Sequence, residues 1–432
     1  MSEKKNVPKL RFPEFTEPWE QRKLGEIATF INGRAYSQPE LLSSGKYKVL
    51  RVGNFYTNDS WYYSDLELGD KYYADYGDLL YTWSATFGPH IWLGDKVIYH
   101  YHIWKIDLSN QLEKQFAVQL LEQDKANILS SKNGSTMVHV TKERMEQKDV
   151  IIPPSIKEQQ KIGAFFIRLD HLITLHQRKL DHVKDLKKSM LQKMFPKNGQ
   201  LYPEVRFPEF TDAWEQRKLG DICSRVQGND GRMNLPTLTI SAANGWMNQE
   251  ERFSGNIAGK EQKNYTLLHK GELSYNHGNS KLAKYGTVFS LQTYEEALVP
   301  RVYHSFRVEN GSADFLEYYF ATKLPDRELG RLISSGARMD GLLNIGYYEF
   351  MGIQMMFPTI AEQNRIAGYF RCLDTLITLH QRKLGAINLT NAIVLFDNGY
   401  NPALACELII LKGVLTYAKH HYQKRHVILR LL

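Results

Sequence analysis

One phrase near the start of the chain occurs again near its middle. Residues Arg11–Ile27 read RFPEFTEPWEQRKLGEI, and Arg206–Ile222 read RFPEFTDAWEQRKLGDI, with three changes. A second pair of segments, Leu169–Leu180 and Leu373–Leu384, is identical at eleven of twelve positions. The chain therefore runs as phrase, variable block and helix, and then repeats that order. An internal repeat constrains the architecture more than any single motif, because it predicts one fold used twice.

The two variable blocks differ in sequence but keep the same order of structural signals. Gly77–Tyr81 (GDLLY) has a counterpart in Gly271–Tyr275 (GELSY), and each is followed by a run rich in β-branched and aromatic residues. An amphipathic helix pattern and a Gly/Ser loop then precede the last strand pattern of each block. We therefore predict the α+β class: two similar α/β domains related by a pseudo-twofold repeat and joined by long helices.

A long helix is predicted at the end of each block. Apolar residues and one histidine recur there at steps of four and three, which is typical of a coiled-coil seam. The predicted seam positions are Ile162, Phe166, Leu169, Ile173, His176, Leu180, Ile366, Phe370, Leu373, Ile377, His380 and Leu384. The two histidines are expected to set the register of the pair. Because a whole domain separates the helices, we expect them to form an antiparallel coiled coil.

The second helix is predicted to be shorter than the first. Gly385 weakens a helix by about 1 kcal/mol relative to alanine, and the regularly spaced charged residues of the first helix have no counterpart after it. Either the tail continues an apolar face through Ile387, Leu389 and Val394, or the spacer is incomplete. The predicted boundaries are an N-terminal connector 1–18, a first domain 19–155, a spacer helix 156–196, a connector 197–213, a second domain 214–360, a shortened spacer helix 361–384 and an atypical tail 385–432.

Composition is that of a globular protein with more than one domain. The chain has 432 residues, of which 43% are hydrophobic and 24% charged. Three cysteines are too few and too scattered for a disulfide framework, and neither a signal peptide nor a membrane-spanning stretch is recognisable. The formal net charge of +8 suggests an anionic partner. We expect a soluble cytoplasmic protein without membrane contact.

Catalytic motifs are missing or incomplete. The nearest approach to a phosphate-binding loop, Gly255–Glu261, is one residue too short and lacks the Ser or Thr that holds magnesium. No glycine-rich turn suited to a dinucleotide or a methyl donor follows a strand pattern. His100 and His102 alternate along a predicted strand, but a metal site needs more ligands than these two. The sequence therefore predicts neither catalytic residues nor a metal site.

Recurring carboxylates raise the question of metal-dependent cleavage. Glu14 and Glu20 of the first phrase recur as Glu209 and Glu215 of the second. Each lies in a stretch rich in proline and aromatic residues, next to a tryptophan suited to anchor an extended connector. Structural anchoring is therefore favoured over metal-assisted catalysis.

Two stretches have the composition of nucleic-acid contacts. Tyr275–Gly286 (YNHGNSKLAKYG) combines amides, a histidine and two lysines, and Tyr81–His90 (YTWSATFGPH) has the same position in the first block. Lysines can hold phosphates while Asn and His side chains reach base edges. The alternative is that both are ordinary polar loops. The candidate DNA-binding residues are Arg34, Lys46, Arg51, Trp83, Ser84, Thr86, His90, Asn276, His277, Asn279, Lys281, Lys284 and Arg338.

The fixed segments resemble those of a known family. The motif W-E-x-x-K/R-L-G that enters each block and the motif P-x-I-x-E-Q-x-x-I that opens each long helix resemble the DNA specificity (S) subunit of Type I restriction-modification systems, over residues 10–384. The resemblance implies two target recognition domains, 19–155 and 214–360, that read a bipartite double-stranded DNA target without a catalytic centre. It also implies partners: two adenine-N6 methyltransferase (M) subunits and restriction (R) subunits.

The same resemblance implies where the cofactors reside. S-adenosylmethionine, ATP and Mg²⁺ are expected in the partner subunits, and none is expected on this chain. Two other functions stay open. One is a non-catalytic coiled-coil scaffold that does not read DNA; the other is a self-contained nuclease or methyltransferase, which would need a site that the sequence does not display. The departure after Gly385 further suggests a specificity subunit that is impaired in assembly by its altered C-terminus.

Overall fold

The structure of the chain is a computed structural model that describes residues 7–8, 11–84, 86–130, 140–197, 199–253, 259–333 and 341–396. Two compact units divide the chain. The first comprises Met1–Gln177 with Arg382–Leu432, and the second comprises Arg178–Gln381. Each of the two long helices has residues in both units and is given below with the unit in which it begins. Each unit contains one copy of the repeated phrase and one variable block.

The first unit is built from short strands and a few helices. A four-stranded antiparallel sheet has the order β2-β9-β6-β7, a mixed sheet has the order β4-β3-β8-β5, and β1 pairs with β10. The elements are β1 (Glu20–Lys23), α1 (Leu24–Ile27), β2 (Ala28–Asn32), β3 (Tyr47–Leu50), β4 (Tyr62–Ser64), β5 (Tyr73–Ala74), β6 (Leu79–Thr82), β7 (Gly88–Ile91), β8 (Val97–Tyr99), β9 (Ile103–Leu108), α2 (Lys114–Ser130), α3 (Lys142–Glu146), β10 (Asp149–Ile152) and α4 (Ile156–Lys193).

The second unit repeats this order with local changes. Its four-stranded antiparallel sheet has the order β12-β19-β16-β17, and β13-β14, β15-β18 and β11-β20 form two-stranded pairs. The elements are β11 (Glu215–Lys218), β12 (Cys223–Val226), β13 (Leu238–Ser241), β14 (Gly245–Asn248), α5 (Gln249–Phe253), β15 (Thr266–His269), β16 (Leu273–Asn276), β17 (Thr287–Ser290), β18 (Glu296–Val299), β19 (His304–Val308), α6 (Ala313–Ala321), α7 (Asp326–Leu332), α8 (Tyr347–Met351), β20 (Gln354–Phe357) and α9 (Ile360–Phe396).

The two four-stranded sheets are topologically equivalent. In each, the first strand pairs with the last one along the chain, and the central hairpin β6-β7 or β16-β17 completes the sheet. A helix packs on the hairpin in both units, α2 on β7 and α6 on β17. The predicted α+β repeat is confirmed, because divergent sequences have kept the same strand order and the same helix position.

Aromatic residues form the centre of each core. The first core includes Phe30, Tyr81, Trp104 and Phe116, together with aliphatic residues from the strands. The second core is built around the aromatic side chains of Phe195, Trp214, Phe306, Phe315, Phe350 and Phe370. Large buried rings supply most of the apolar area that stabilises such small sheets.

The long helices α4 and α9 pair in antiparallel orientation. Within the second unit, Lys187 Nζ of α4 lies 2.5 Å from Asp374 Oδ1 of α9, and the ring of Phe195, just past α4, stacks on that of Phe370 with centroids 6.1 Å apart. As the chain advances from Lys187 to Phe195, its contacts move back from Asp374 to Phe370. That opposite progression confirms the predicted antiparallel arrangement.

The predicted seam faces away from solvent along both helices. Every one of the predicted positions is buried or half-buried, including the two histidines. The buried positions are Phe166, Leu169, Leu180, Ile366, Phe370, Leu373 and Leu384, and the half-buried ones are Ile162, Ile173, His176, Ile377 and His380. Their role as a coiled-coil seam stays a prediction.

The prediction that the second helix stops at Leu384 is wrong. Helix α9 continues through Gly385 and ends at Phe396, so it has 37 residues against 38 in α4. A single glycine lowers helix stability by about 1 kcal/mol, which neighbouring helix-forming residues and packing can offset. The tail therefore begins as a continuation of the helix; residues 397–432 lie outside the described part of the chain.

Candidate nucleic-acid interface

The repeated phrase binds the first turn of each long helix. In the first unit, Arg11 Nε and Nη2 donate to the two carboxylate oxygens of Glu158 at 2.7 and 2.8 Å, and Trp19 Nε1 donates to Glu158 Oε1 at 3.2 Å. The second unit repeats the set through Arg206 and Glu362. We call each set the clamp. Each long helix needs its own clamp, which gives a physical reason for two copies of the phrase.

The second clamp has the same geometry as the first. Arg206 Nε and Nη2 donate to Glu362 at 2.8 and 2.7 Å, and Trp214 Nε1 donates to Glu362 Oε1 at 3.3 Å. The Glu158 and Glu362 side chains are both only 1% exposed. A buried carboxylate needs a charged partner and further hydrogen bonds, and in both units the phrase supplies them.

The glutamine that follows each clamp glutamate binds the backbone. Gln159 Nε2 donates to the carbonyl oxygens of Gln111 and Pro153 at 2.9 Å each, and its Oε1 accepts from the Glu113 N–H at 2.8 Å. Gln363 makes two similar bonds in the second unit: its Oε1 accepts from the Ser312 N–H and its Nε2 donates to the Pro358 carbonyl oxygen, at 3.0 Å each. The E-Q pair in the opening of each helix therefore joins the helix to its own domain.

Of the recurring carboxylates, Glu14 and Glu209 contact the long helices, whereas Glu20 and Glu215 each pair with an arginine of their own strand. Glu14 forms an ion pair with Lys161 of α4, and Glu209 lies 3.6 Å from Arg365 of α9. Each pair links the extended connector to the long helix at a half-exposed position. Among the described residues, no group of three or more His, Cys, Asp or Glu side chains is arranged to hold a metal ion.

The two predicted DNA-binding stretches occupy the same place in the fold. Residues 83–87 connect β6 to β7, and residues 277–286 connect β16 to β17. Because the sheets are equivalent, both connections form the tip of the central hairpin. Three candidates of the first block and four of the second thus lie in one loop per unit, and we call these the first and second hairpin loops; the residues are Trp83, Ser84, Thr86, His277, Asn279, Lys281 and Lys284.

In the first hairpin loop, aromatic packing holds Trp83. Its Nε1 donates to the Tyr101 carbonyl oxygen at 2.9 Å, and its ring stacks on Trp104 with centroids 5.9 Å apart. Ser84 is half-buried and Thr86 is exposed. His90, on β7, stacks on Phe55 with centroids 4.1 Å apart. Thr86 is thus the most accessible of these candidates.

The basic candidates of the first unit already have partners. Arg34 Nη2 lies 2.5 Å from Glu40 Oε1, and Lys46 pairs with Glu67 at the surface. The Arg51 guanidinium lies over the Tyr62 ring, 4.2 Å from its centroid. Arg34 Nη1 and Arg51 Nε nevertheless have no hydrogen-bond partner. All three cations belong to the N-terminal part of the first unit, away in sequence from its hairpin loop.

In the second hairpin loop, His277 is buried among backbone groups. Its ring is 5% exposed, with Nδ1 2.7 Å from the Leu343 carbonyl oxygen and Nε2 2.9 Å from that of Val302. Both ring nitrogens therefore face backbone acceptors, and the ring supports the loop from inside; a DNA contact of His277 stays a prediction. Its ring also stacks on His304, with centroids 4.8 Å apart.

The remaining candidates of this loop are more accessible. Asn279, Lys281 and Lys284 are exposed, whereas Asn276 is half-buried and its Oδ1 accepts from the Gly278 N–H at 3.0 Å. Arg338 lies outside the described residues. The loop therefore presents one amide and two cations to solvent, which is a combination that can hold phosphates and reach a base edge.

A polar cleft in the second unit was missed by the sequence reasoning. It has a volume of about 440 Å³, and Arg225, His269, Glu272 and Arg307 contribute to its lining. Arg307 Nη2 pairs with Glu272 at 2.6 Å, and the Arg225 guanidinium lies 4.4 Å from the Tyr347 ring centroid. No sequence signal marks this cleft, because its residues come from separate strands that only the fold brings together.

Three histidines make stability depend on pH. Burial lowers the pKa of His90 to about 4, with a smaller effect of Lys125. Burial likewise lowers the pKa of His100 and of His304 to about 4 from the ordinary 6.5. The unfolded chain therefore binds more protons than the folded one between pH 6.5 and 4, so the free energy of unfolding falls as the pH is lowered through that range.

We expect the free energy of unfolding to decrease by about 1 kcal/mol per histidine between pH 7 and pH 5, after allowing for their partial exposure. Urea titrations at both pH values measure it. His304→Gln, which keeps a donor for the Ile345 carbonyl oxygen, should reduce the pH dependence, whereas the substitution of exposed His171 by Gln should leave it unchanged. Equal free energies at pH 7 and 5 would contradict this expectation.

Comparison with known proteins finds one family model that matches part of the chain. Residues 16–185 match the family model described as the Type I restriction modification DNA specificity domain. The specificity subunit of the Type I restriction enzyme MjaVIII from Methanocaldococcus jannaschii is 24% identical over 231 residues, which cover 52% of this chain and 53% of that protein. The chain thus spans about half the length of this curated relative.

A solved structure shows the same fold. The S subunit of a Type I restriction-modification system from M. genitalium aligns over 91% of this chain and 99% of its own length, with a TM-score of 0.56 and 13% sequence identity. At that identity the similarity concerns the fold alone.

Among the described residues, no helix combines the length and the apolar character that a membrane crossing needs.

Proposed function

We propose that this chain is a specificity subunit of a Type I restriction-modification system and that it reads a DNA target in two parts. The match of residues 16–185 to the family model and the similarity to a curated specificity subunit support this proposal. Each unit contacts one half of the target through its hairpin loop. The chain itself has a recognition role, and the chemistry is carried out by partner subunits.

One observation carries the proposal. Two equivalent hairpins, β6-β7 and β16-β17, end in loops of different sequence, while the clamps that hold the two domains to their helices are nearly identical. Nearly identical clamps combined with hairpin loops of different sequence are the arrangement expected when one fold must read two different DNA segments. Because the loops differ in side chains, the two halves of the target are expected to differ in sequence.

The partners follow from the same proposal. Two methyltransferase subunits and restriction subunits assemble with the chain, and those partners bind S-adenosylmethionine, ATP and Mg²⁺. The repeated segments, which are the phrase and the opening of each long helix, offer two similar docking sites to two identical subunits. A cytoplasmic location is consistent with this role and stays a prediction.

The proposal predicts a sequence-specific change in DNA methylation. Comparing N6-methyladenine across the genome of a host with and without this chain, in the presence of its partner subunits, should reveal one bipartite motif that depends on the chain. We expect its two parts to be separated by on the order of one helical turn of DNA or somewhat more. A host whose methylation is the same with and without the chain would refute the proposal.

The alternative of impaired assembly concerns the C-terminus. Helix α9 reaches Phe396, so a truncated second spacer no longer supports that alternative. The altered sequence after Gly385 nevertheless changes the surface that a partner meets. Co-purification of the chain with its methyltransferase subunits tests this alternative, because a subunit that is impaired in assembly forms less of the complex.

A further inference from the structure

The tip of the second hairpin loop presents a leucine to solvent. Leu282 is 68% exposed and stands between the exposed lysines Lys281 and Lys284. A single exposed leucine on a protein surface needs no explanation by itself. The position of Leu282 is what distinguishes it, since it lies in the loop that carries the DNA-binding candidates of this unit.

The tip is an ordered turn. The backbone N–H groups of Ser280 and Ala283 donate to each other's carbonyl oxygens at 3.1 and 3.2 Å, and Ser280 Oγ accepts from the Ala283 N–H at 3.1 Å. Ala283 is buried, at 3% exposure. Lys281 and Leu282 are therefore the two central residues of a closed turn, which holds their side chains outward.

The base of the loop is held as firmly as its tip. Tyr275 Oη donates to the Tyr285 carbonyl oxygen at 2.7 Å, and the Asn279 N–H donates to the Gly341 carbonyl oxygen at 3.1 Å. Gly286 has φ +80°, and a Cβ there would lie 2.5 Å from the Asn276 carbonyl oxygen. A loop ordered before binding loses little conformational entropy when it meets a ligand.

We infer that Leu282 is a specificity-determining residue that contacts the 5-methyl group of a thymine in the major groove of the DNA target. This inference rests on the proposed function. A two-stranded β-ribbon fits the major groove, where the thymine methyl is the apolar feature that distinguishes one base from the others. The flanking lysines hold phosphates, which positions the leucine without reading sequence.

The experiment removes the methyl group from the DNA. The complex of the full chain with its methyltransferase subunits is titrated with duplexes of the mapped target, in which each thymine in turn is replaced by deoxyuridine. Loss of one buried methyl contact corresponds to a three- to fivefold lower affinity, from about 0.8 kcal/mol per methyl-sized group. We expect this loss at one thymine of the half-site read by the second unit.

The substitution Leu282→Ala completes a double-mutant cycle between the leucine side chain and the thymine methyl group. The variant should bind the all-thymine target about three- to fivefold more weakly than the wild type, and deoxyuridine at the sensitive position should cause no further loss. Leu93→Ala is the matched control, because Leu93 is 67% exposed and lies in the β7-β8 connection, outside the hairpin loops. It should leave the affinity for every duplex unchanged.

The outcomes separate this inference from the proposal beneath it. A wild-type complex that tolerates deoxyuridine at every thymine, or a half-site without thymine, overturns the thymine contact while leaving sequence-specific binding in place. Reduced affinity of the Leu282→Ala variant without any deoxyuridine effect also overturns it, because Leu282 would then contact another part of the DNA. A wild-type complex that binds target and scrambled duplexes equally overturns the proposed function together with this inference.

Discussion

Glu362→Ala is expected to destabilise the second unit by about 3 to 5 kcal/mol. Breaking a buried ion pair by removing one partner has that effect, because the remaining charge is left without compensation. Here the Arg206 guanidinium, 13% exposed, would lose both bonds to Glu362, and Trp214 Nε1 would lose its acceptor. Urea unfolding of the purified chain, followed by hydrogen exchange of peptides from each unit, measures the change.

The same substitution in the first clamp provides a test of the repeat. Glu158→Ala should affect the first unit in the same way, since Arg11 and Trp19 occupy equivalent positions. Glu209→Ala is the matched control, because its carboxylate is half-exposed and lies 3.6 Å from Arg365; exposed pairs contribute about 0 to 1 kcal/mol. If Glu362→Ala were as mild as Glu209→Ala, the clamp would not stabilise the domain.

His277→Ala is expected to lower the free energy of unfolding much more than Asn279→Ala. Removing the His277 ring deletes its contacts with the Leu343 and Val302 carbonyl oxygens, to one of which a neutral ring donates, and leaves a cavity beside His304. We expect a loss of about 2 to 4 kcal/mol in the free energy of unfolding. Asn279 is exposed, so Asn279→Ala should change stability by less than about 0.5 kcal/mol.

In folded protein, the affinity for DNA should depend more on the exposed Asn279 than on the buried His277. Asn279→Ala is expected to weaken binding to the mapped target by about 1 to 3 kcal/mol if its amide reads a base, while binding to unrelated DNA stays the same. His277→Gln, which restores donors at the same site, should recover part of the lost stability. An Asn279→Ala variant with wild-type affinity for its target would remove Asn279 from the interface.

Local patterns predicted the elements that depend on neighbouring residues. The repeated phrase, the helix seams and the hairpin loops are all visible in the sequence, because periodicity and turn composition are short-range properties. His277 is buried in the structure, which the sequence did not predict, for the opposite reason. Its acceptors lie 66 and 25 residues away along the chain, and no local pattern distinguishes such a buried histidine from an exposed one.

The clamp was predictable from the repeated phrase only in part. Both copies of the phrase contain an arginine and a tryptophan, and both helices open with E-Q, yet the bond between Arg11 and Glu158 spans 147 residues. The sequence predicted that Trp19 and Trp214 anchor a connector. Only the structure identified the buried glutamates as what they anchor to.

The sequence by itself determined the twofold plan of this protein, the existence and phase of its long helices, and the two loops where its halves differ, because each is a repeated or periodic feature of neighbouring residues. The tertiary structure decided which polar residues of those loops are buried and which meet solvent, and how far the second helix extends. Burial depends on atoms brought from distant parts of the chain, and the continuation of a helix past Gly385 depends on a balance of about 1 kcal/mol that neighbouring residues and packing, rather than a single residue type, resolve.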